Sequence, residues 1–269
     1  MCEKEDTMRE LFELRGSLSY KKKLMLEIGG SVLLLIVWAA VCYFGAIPSA
    51  ILPAPKKVLF AFGELYFENA LIKNVLFSIK LNFLGYCEAI AIALPLGFII
   101  GLFPFFRGLS ERYITAIRYL PITAVIGLFI AWFGIDTNMK VQFLAFGIFV
   151  YLVSVVVQRV DEVQSIYVDT VRTLGATKRQ TITSVFIPDV LSRISDDIRV
   201  LIAISWTYII VAEVINSSAG GVGALVYISA RQSRVDKVFA VLAVIMLIGF
   251  LQDKVMLALD KQIFRHKYV

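Results

Sequence analysis

Few residues in this chain have types and spacing suited to chemistry. His266 is the single histidine and sits in a basic C-terminal tail, so neither a histidine base nor a metal site is supported. Cys2, Cys42 and Cys87 are scattered and match neither a disulfide framework nor a metal-ligand spacing. No Gly-x-x-x-x-Gly-Lys-Ser/Thr loop is present to cradle the phosphates of ATP, and no nucleophile–base pair stands out, so no catalytic residue is predicted. What remains is a handful of charges in apolar surroundings. Lys80 and Glu88 lie about two helical turns apart and so share one helix face, Arg118 shortly precedes Pro121, and Glu213 precedes the glycine-rich stretch Gly220 to Gly223. Charges inside hydrocarbon are costly and usually face a bundle interior or water, although Lys80 and Arg118 are placed so that they could snorkel to a boundary. Glu213 is open to two readings: a contact with a partner or gate, or a hydrogen-bonded carboxylate closing a helix end.

The elements that must position these charges are membrane spans. The chain has 269 residues, 59% of them hydrophobic and 18% charged, with a mean hydropathy of +0.79. That is well above the apolar share of soluble domains, roughly 45–50%. Six apolar runs are each long enough to cross a hydrocarbon core: Gly29 to Ile47, Val75 to Phe106, Tyr113 to Phe133, Val141 to Val157, Ile194 to Ile215 and Val238 to Leu259. Lysines and arginines concentrate in the N-terminal tail, the Arg107 to Arg112 turn, the Arg159 to Arg193 segment and the C-terminal tail. Positive residues are retained inside, so both termini are expected in the cytoplasm, and the net charge of +6 reads as a topology signal with no call for nucleic acid. The Lys21 to Lys23 triplet before the first run suggests a signal peptide, but no small-x-small site precedes Cys42 and further spans follow, so an uncleaved first helix is expected.

Two units follow: a cytoplasmic tail over 1–28, whose Leu11, Leu14, Leu18 and Leu24 would stripe an interfacial helix, and a transmembrane domain over 29–269. After the first span, the prolines of "IPSAILPAP" forbid helix continuation, and Val58, Leu59, Phe60, Phe62 and Leu65 suggest a short amphipathic helix on the outer surface. Pro95 and Pro121 are expected to kink their helices.

The segment over 159–193 is far longer than a turn requires. Val163, Ile166, Tyr167, Val171 and Leu174 recur at helical spacing, Gly175 supplies the left-handed residue that ends a helix, and Thr177 with Gln180 forms a Thr-x-x-Gln capping box. A second helix follows, with Ile182, Val185 and Phe186 on one face, which Pro188 is expected to stop or redirect. Spacing alone leaves open whether this hairpin transmits force or merely joins two spans.

Asp169-Thr170-Val171, then Gly175, then Val185-Phe186-Ile187-Pro188 resembles the cytoplasmic loop of bacterial ABC-importer permeases, which reads Glu-Ala-Ala, three residues, Gly, nine residues, Ile-x-Leu-Pro. Asp169 stands for the Glu and Thr170 and Val171 for the alanines, while the Gly-to-Pro spacing is kept. "ILPAPKKVL" from Ile51, "RYLPITAVIGLFIAWFGID" from Arg118 and "VAEVINSSAGGVGALV" from Val211 are similar to the nitrate/sulfonate/taurine subfamily. The resemblance implies an all-α membrane protein of six transmembrane helices with the type I ABC importer permease fold. It implies a homodimer, two ABC ATPase subunits carrying ATP and Mg, no cofactor on this chain, and an extracytoplasmic solute-binding protein delivering a small solute such as a sulfonate, taurine, nitrate or bicarbonate. The expected location is the cytoplasmic membrane of a bacterium. Asp169, Thr170, Val171, Leu174, Gly175, Ala176 and Pro188 would couple to the ATPase, and Arg118, Pro121 and Glu213 would belong to the translocation pathway. A secondary transporter or channel working without an ATPase is the rival reading; that class usually carries internal repeats, and none is visible.

Overall fold

The computed structural model describes residues 16, 18–45 and 47–268, and among them all regular structure is helical. In chain order the helices are α1 (Tyr20–Tyr43), α2 (Pro55–Phe67), α3 (Leu71–Leu102), α4 (Pro104–Ile117), α5 (Ile126–Phe133), α6 (Thr137–Asp161), α7 (Ser165–Thr173), α8 (Lys178–Thr181), α9 (Ile187–Ile215), α10 (Val222–Arg231) and α11 (Val235–Ile263). Five stretches are long and apolar enough to cross a membrane, and a sixth arises if the bent pair α4 plus α5 counts as one span. Leu11 and Leu14 of the anticipated interfacial helix lie outside the described residues, and Leu24 belongs to α1 itself.

The core is built on α3 and α6. Gly85, Ala89, Ala93, Gly97 and Gly101 recur every four residues along α3 and so form one narrow stripe. The backbone presses through that stripe onto Leu144, Val156 and Val160 of α6. The partners advance in step along both helices, so α3 and α6 run parallel. With no hydrophobic drive between helices in lipid, close backbone approach through small residues is what makes such a pair hold. α9 runs back against both, closing the core with Val190, Ile194, Leu201, Ile202, Trp206 and Ile209.

Two expectations are corrected. Tyr113 to Phe133 is not one helix: α4 and the Ile122–Phe133 segment meet at 92°. Pro121, without an N–H, sits extended at the break and caps the short 3-10 turn Ile122–Val125. Pro95, by contrast, lies inside α3 without interrupting it. Nor does Pro188 stop a helix. Lys178 to Ile215 is one helical stretch, with π-helical turns over Ile182–Phe186 just before the proline. A wide π turn relieves the clash between the proline ring and the preceding turn, so the helix passes through.

The anticipated amphipathic helix after the first span is α2. Pro55 occupies its first turn, and Val58, Ala61 and Leu65 are buried, while Leu59 and Phe60 point away from the core. The indole N–H of Trp38 in α1 donates to the Pro53 carbonyl at 3.1 Å, fastening the peripheral first span to this connection.

Candidate functional site

The two ends of the bundle carry different polar architecture. At one end stands the hairpin of α7 and α8. Its hinge is a Schellman turn: the Ala176 N–H donates to the Val171 carbonyl at 3.0 Å and the Gly175 N–H to the Arg172 carbonyl at 2.9 Å. Gly175 has φ +83°, a conformation that costs a side-chain-bearing residue but not glycine. The capping box is complete: the Gln180 N–H donates to Thr177 Oγ1 at 3.3 Å, and the Thr177 N–H donates to Gln180 Oε1 at 2.8 Å. The junction between the two short helices is thus set by local backbone and capping hydrogen bonds.

No residue of α7 is buried. Ile166, Tyr167 and Leu174 of the apolar stripe are exposed, Leu174 at 82% of its surface. Asp169 and Thr170 are exposed as well, and Thr170 Oγ1 donates back to the Ile166 carbonyl at 2.6 Å. A groove lined by Val171, Leu174, Gly175, Ala176, Gln180 and Ser184 runs along the hinge. Pro188 borders a second groove with Tyr167, Val171 and His266.

Behind the hairpin, ion pairs tie the helix ends into one body. Arg159 of α6 grips Asp197 of α9 through Nε at 2.8 Å and Nη2 at 2.7 Å, the two-pronged geometry that guanidinium favours. Arg107 pairs with Asp161 at 2.6 Å, Arg193 with Asp189 at 3.2 Å, and Arg199 of α9 with Asp253 of α11 at 2.7 Å. Glu162, which ends α6, also takes Arg159, and that hydrogen bond holds its carboxyl below the usual carboxylate range. Lys267 bridges Asp196 at 2.9 Å and the buried Asp260 at 3.1 Å. These pairs fasten the ends of α6, α9 and α11 to one another.

The opposite end is a buried polar knot that sequence patterning left largely invisible. Glu213 is fully buried; it accepts from Ser78 Oγ at 2.5 Å and from the Gly223 N–H at 2.7 Å. Ser78 in turn accepts the Val222 N–H at 2.9 Å, and Asn74 Oδ1 accepts the Gly221 N–H at 2.7 Å. Of the two readings left open for Glu213, the hydrogen-bonded helix-end carboxylate describes its surroundings. Gly221 has φ +110°, and a Cβ there would sit 2.2 Å from the Glu213 carboxyl carbon, so the turn needs glycine twice over. Lys140 is fully buried in the first turn of α6. Its ammonium donates to the Asn216 carbonyl at 3.0 Å and lies 5.6 Å from the Phe77 ring centre. A lysine one turn into an apolar helix was the available signal.

Of the remaining charges, Lys80 is exposed and Glu88 half-buried, accepting from Gln142 Nε2 at 2.9 Å. Arg118 follows the end of α4 and lines a polar groove with Glu111, Ser154, Gln158 and Asp161, towards the hairpin end. It does not meet Glu213, which lies at the knot. Among the described residues no cluster of His, Cys, Asp and Glu has the makings of a metal site.

An exposed hairpin at one end of the bundle and a buried polar knot at the other are the two polar features of the fold. Residues 93–265, more than half of the chain, match the family described as "Binding-protein-dependent transport system inner membrane component". The chain belongs to this family. A protein of Methanocaldococcus jannaschii named as an ABC transporter permease is 30% identical over 237 residues, covering 87% of this chain and 88% of that protein. The taurine transport system permease protein TauC of Escherichia coli is 28% identical over 247 residues, covering 90% of each. Among solved structures, a chain of the MetNI methionine ABC transporter in inward-facing conformations shares the fold, with a TM-score of 0.60 at 17% identity, covering 73% of this chain and 95% of that one. The protein is thus a multi-pass membrane permease subunit of an ABC importer, a class that works with a separate ATPase and a solute-binding protein.

Proposed function

We propose that two copies of this chain form the translocation pathway for a small organic anion of the sulfonate class, with two ATPase subunits docked on the hairpins. The observation that carries this reading is the hairpin: Ile166, Tyr167 and Leu174 of its apolar stripe are exposed, its hinge is set by a Schellman turn and a capping box, and α8 continues into the span α9. Asp169, Thr170, Val171, Leu174, Gly175 and Ala176 form the docking surface, and Pro188 lies where the hairpin becomes span. In this account the hairpin end faces the cytoplasm, with both chain termini on that side, in the cytoplasmic membrane of a bacterium. Members with this loop receive ATP-driven closure there, and ATP and Mg stay on the partner; this chain binds no cofactor.

Closure of the ATPase pair moves the two hairpins. The ion-paired ends of α6, α9 and α11 carry the movement into the bundle, so the spans rock between inward-open and outward-open states. Such a cycle is a biased two-state equilibrium: ATP must favour one state, and the loaded binding protein must recognise it. The 92° break beside Arg118 and Pro121 gives the α4–α5 segment a joint about which to move. Arg118, in its polar groove near the hairpin end, meets the anion on the cytoplasmic side of the pathway, where it leaves. The knot around Glu213 holds the opposite end of the pathway shut or open as one piece, because Ser78 of α3 and Gly223 of α10 bond the same carboxylate.

The sulfonate class is favoured by the name of the Escherichia coli relative, which transports taurine. Uptake of labelled taurine and other sulfonates into proteoliposomes holding the permease, its ATPase and its binding protein tests the reading. We expect uptake that needs ATP on the ATPase side and all three components; ATP-dependent uptake of other solutes with no sulfonate transported would remove the substrate assignment.

A further inference from the structure

Deep within the spans lies a carboxylate, Glu88, that belongs to neither the knot nor the ion-paired end. Glu88 sits near the middle of α3, roughly 20–25 Å from either end at 1.5 Å per residue. It borders an open-sided cavity of about 280 Å³ lined by α3, α5 and α6. Gln142 of α6 donates to one carboxylate oxygen at 2.9 Å, and among the described residues no cation pairs with Glu88. The rest of the wall is aromatic: Phe129, Trp132, Phe133 and Phe146 border the space. Phe129 is the hub, with ring centres 5.7 Å from Trp132, 5.9 Å from Phe133 and 5.4 Å from Phe146.

An unpaired carboxylate at this depth is costly to keep and calls for a partner. Aromatic faces attract cations through their ring quadrupoles, so both kinds of wall favour the same ligand. The cavity is too small for a macromolecule and too deep for a lipid headgroup, while its volume suits a solute of a few heavy atoms. Gln142 fixes one oxygen of Glu88 and leaves the other to accept from the ligand.

We infer that Glu88 and the surrounding aromatic rings form a subsite for a primary ammonium group, so that the solute carried is an amino-bearing anion rather than a plain anion. The inference rests on the sulfonate reading above and narrows it to aminoalkyl sulfonates. An ammonium with a short apolar body would seat its charge on Glu88 and its methylene groups on the rings, leaving the sulfonate to the wetter side of the pathway.

The test uses the permease–ATPase complex in nanodiscs of phosphatidylcholine and phosphatidylglycerol, which lack primary amines. The binding protein is left out, so recognition by the spans is read separately. Ethylammonium, taurine and ethanesulfonate are titrated, with the fluorescence of Trp132 as readout and Trp132→Phe as the blank. We expect saturable responses to ethylammonium and taurine and none to ethanesulfonate. Glu88→Gln keeps an acceptor for Gln142, leaves the melting temperature unchanged and weakens both amines on the order of tenfold. Phe146→Leu, a second variant independent of Glu88, weakens them severalfold. An equal response to ethanesulfonate, or amine binding unchanged in Glu88→Gln, overturns the subsite. Proteoliposome uptake separates the two readings. Glu88-dependent ethylammonium binding without sulfonate uptake leaves the subsite standing and removes the sulfonate substrate. Sulfonate uptake in which Glu88→Gln affects taurine and ethanesulfonate alike does the reverse.

Discussion

Gly97→Ala adds one methyl group where α3 crosses α6, and the structure sets its cost. The new Cβ would lie 2.5 Å from Val156 Cβ and 2.6 Å from Val156 Cγ1. Ordinary contact begins at 3.4 Å, so the helices must part by about 0.9 Å, and Val156 cannot swing clear because its Cβ is fixed to the backbone. Overpacking of this kind costs about 1–3 kcal/mol, against which alanine's helix preference returns roughly 0.8–1 kcal/mol. The net is a destabilisation of about 0–2 kcal/mol, with the upper half expected because the nearest atom, Val156 Cβ, cannot rotate away. Gly249→Ala is the matched control: it lies in α11 with nothing within 4 Å of the added methyl, so only the propensity gain applies. Gly101→Ala, whose nearest atom is 2.9 Å away, should fall between them. Thermal denaturation of the purified chain in one detergent ranks the variants, and Val156→Ala placed on Gly97→Ala should recover part of the loss by removing the Cγ1 contact. Gly97→Ala melting level with Gly249→Ala would refute the parallel, small-residue packing of α3 on α6.

At the knot, Glu213→Ala orphans the Ser78 hydroxyl and the Gly223 N–H, and should cost about 1–4 kcal/mol in the same melting assay; a change under half a kcal/mol would show that the knot contributes little. Leu174→Glu places a charge on the exposed stripe without touching the bundle, so ATPase binding should fall at least tenfold while insertion and melting stay as in the native chain. Arg234 holds the Glu64 carboxyl below its ordinary range, with Lys237 adding to the effect, and a depressed carboxylate stabilises above its unfolded value and loses that contribution as pH falls through the folded one. The melting difference between native protein and Glu64→Gln should therefore be present at neutral pH and vanish in acid below the carboxylate range; a difference that grows on acidification contradicts the clasp.

Much of this arrangement can be read from the chain itself, because hydrophobic runs and local capping chemistry are sequence-near signals. The spans, the helix α2, the left-handed Gly175 and the Thr177–Gln180 capping box are all stated by neighbouring residues. The 92° break is not, since Pro95 and Pro121 look alike locally and differ only in what surrounds them. Pro188 passes inside a helix because the π turns before it accommodate the ring, a feature with no residue signature. Lys140 and Glu213 are buried through pairings with the distant Asn216 and Ser78, and long-range partners of that kind leave no local periodicity. Glu88 stood out early as an intramembrane charge, but Lys80, its face-mate by spacing, is exposed, and its hydrogen-bond partner is Gln142 on another helix.

The docking of the ATPase on the hairpin is the claim on which the rest depends, and co-purification in detergent with the cognate ATPase tests it most directly. The native chain is compared with Gly175→Pro, since proline cannot take the φ of +83° and lacks the N–H that bonds Arg172. The account predicts that the native chain retains the ATPase and that the variant inserts normally but releases it. Equal retention by both, or none by either, would contradict it.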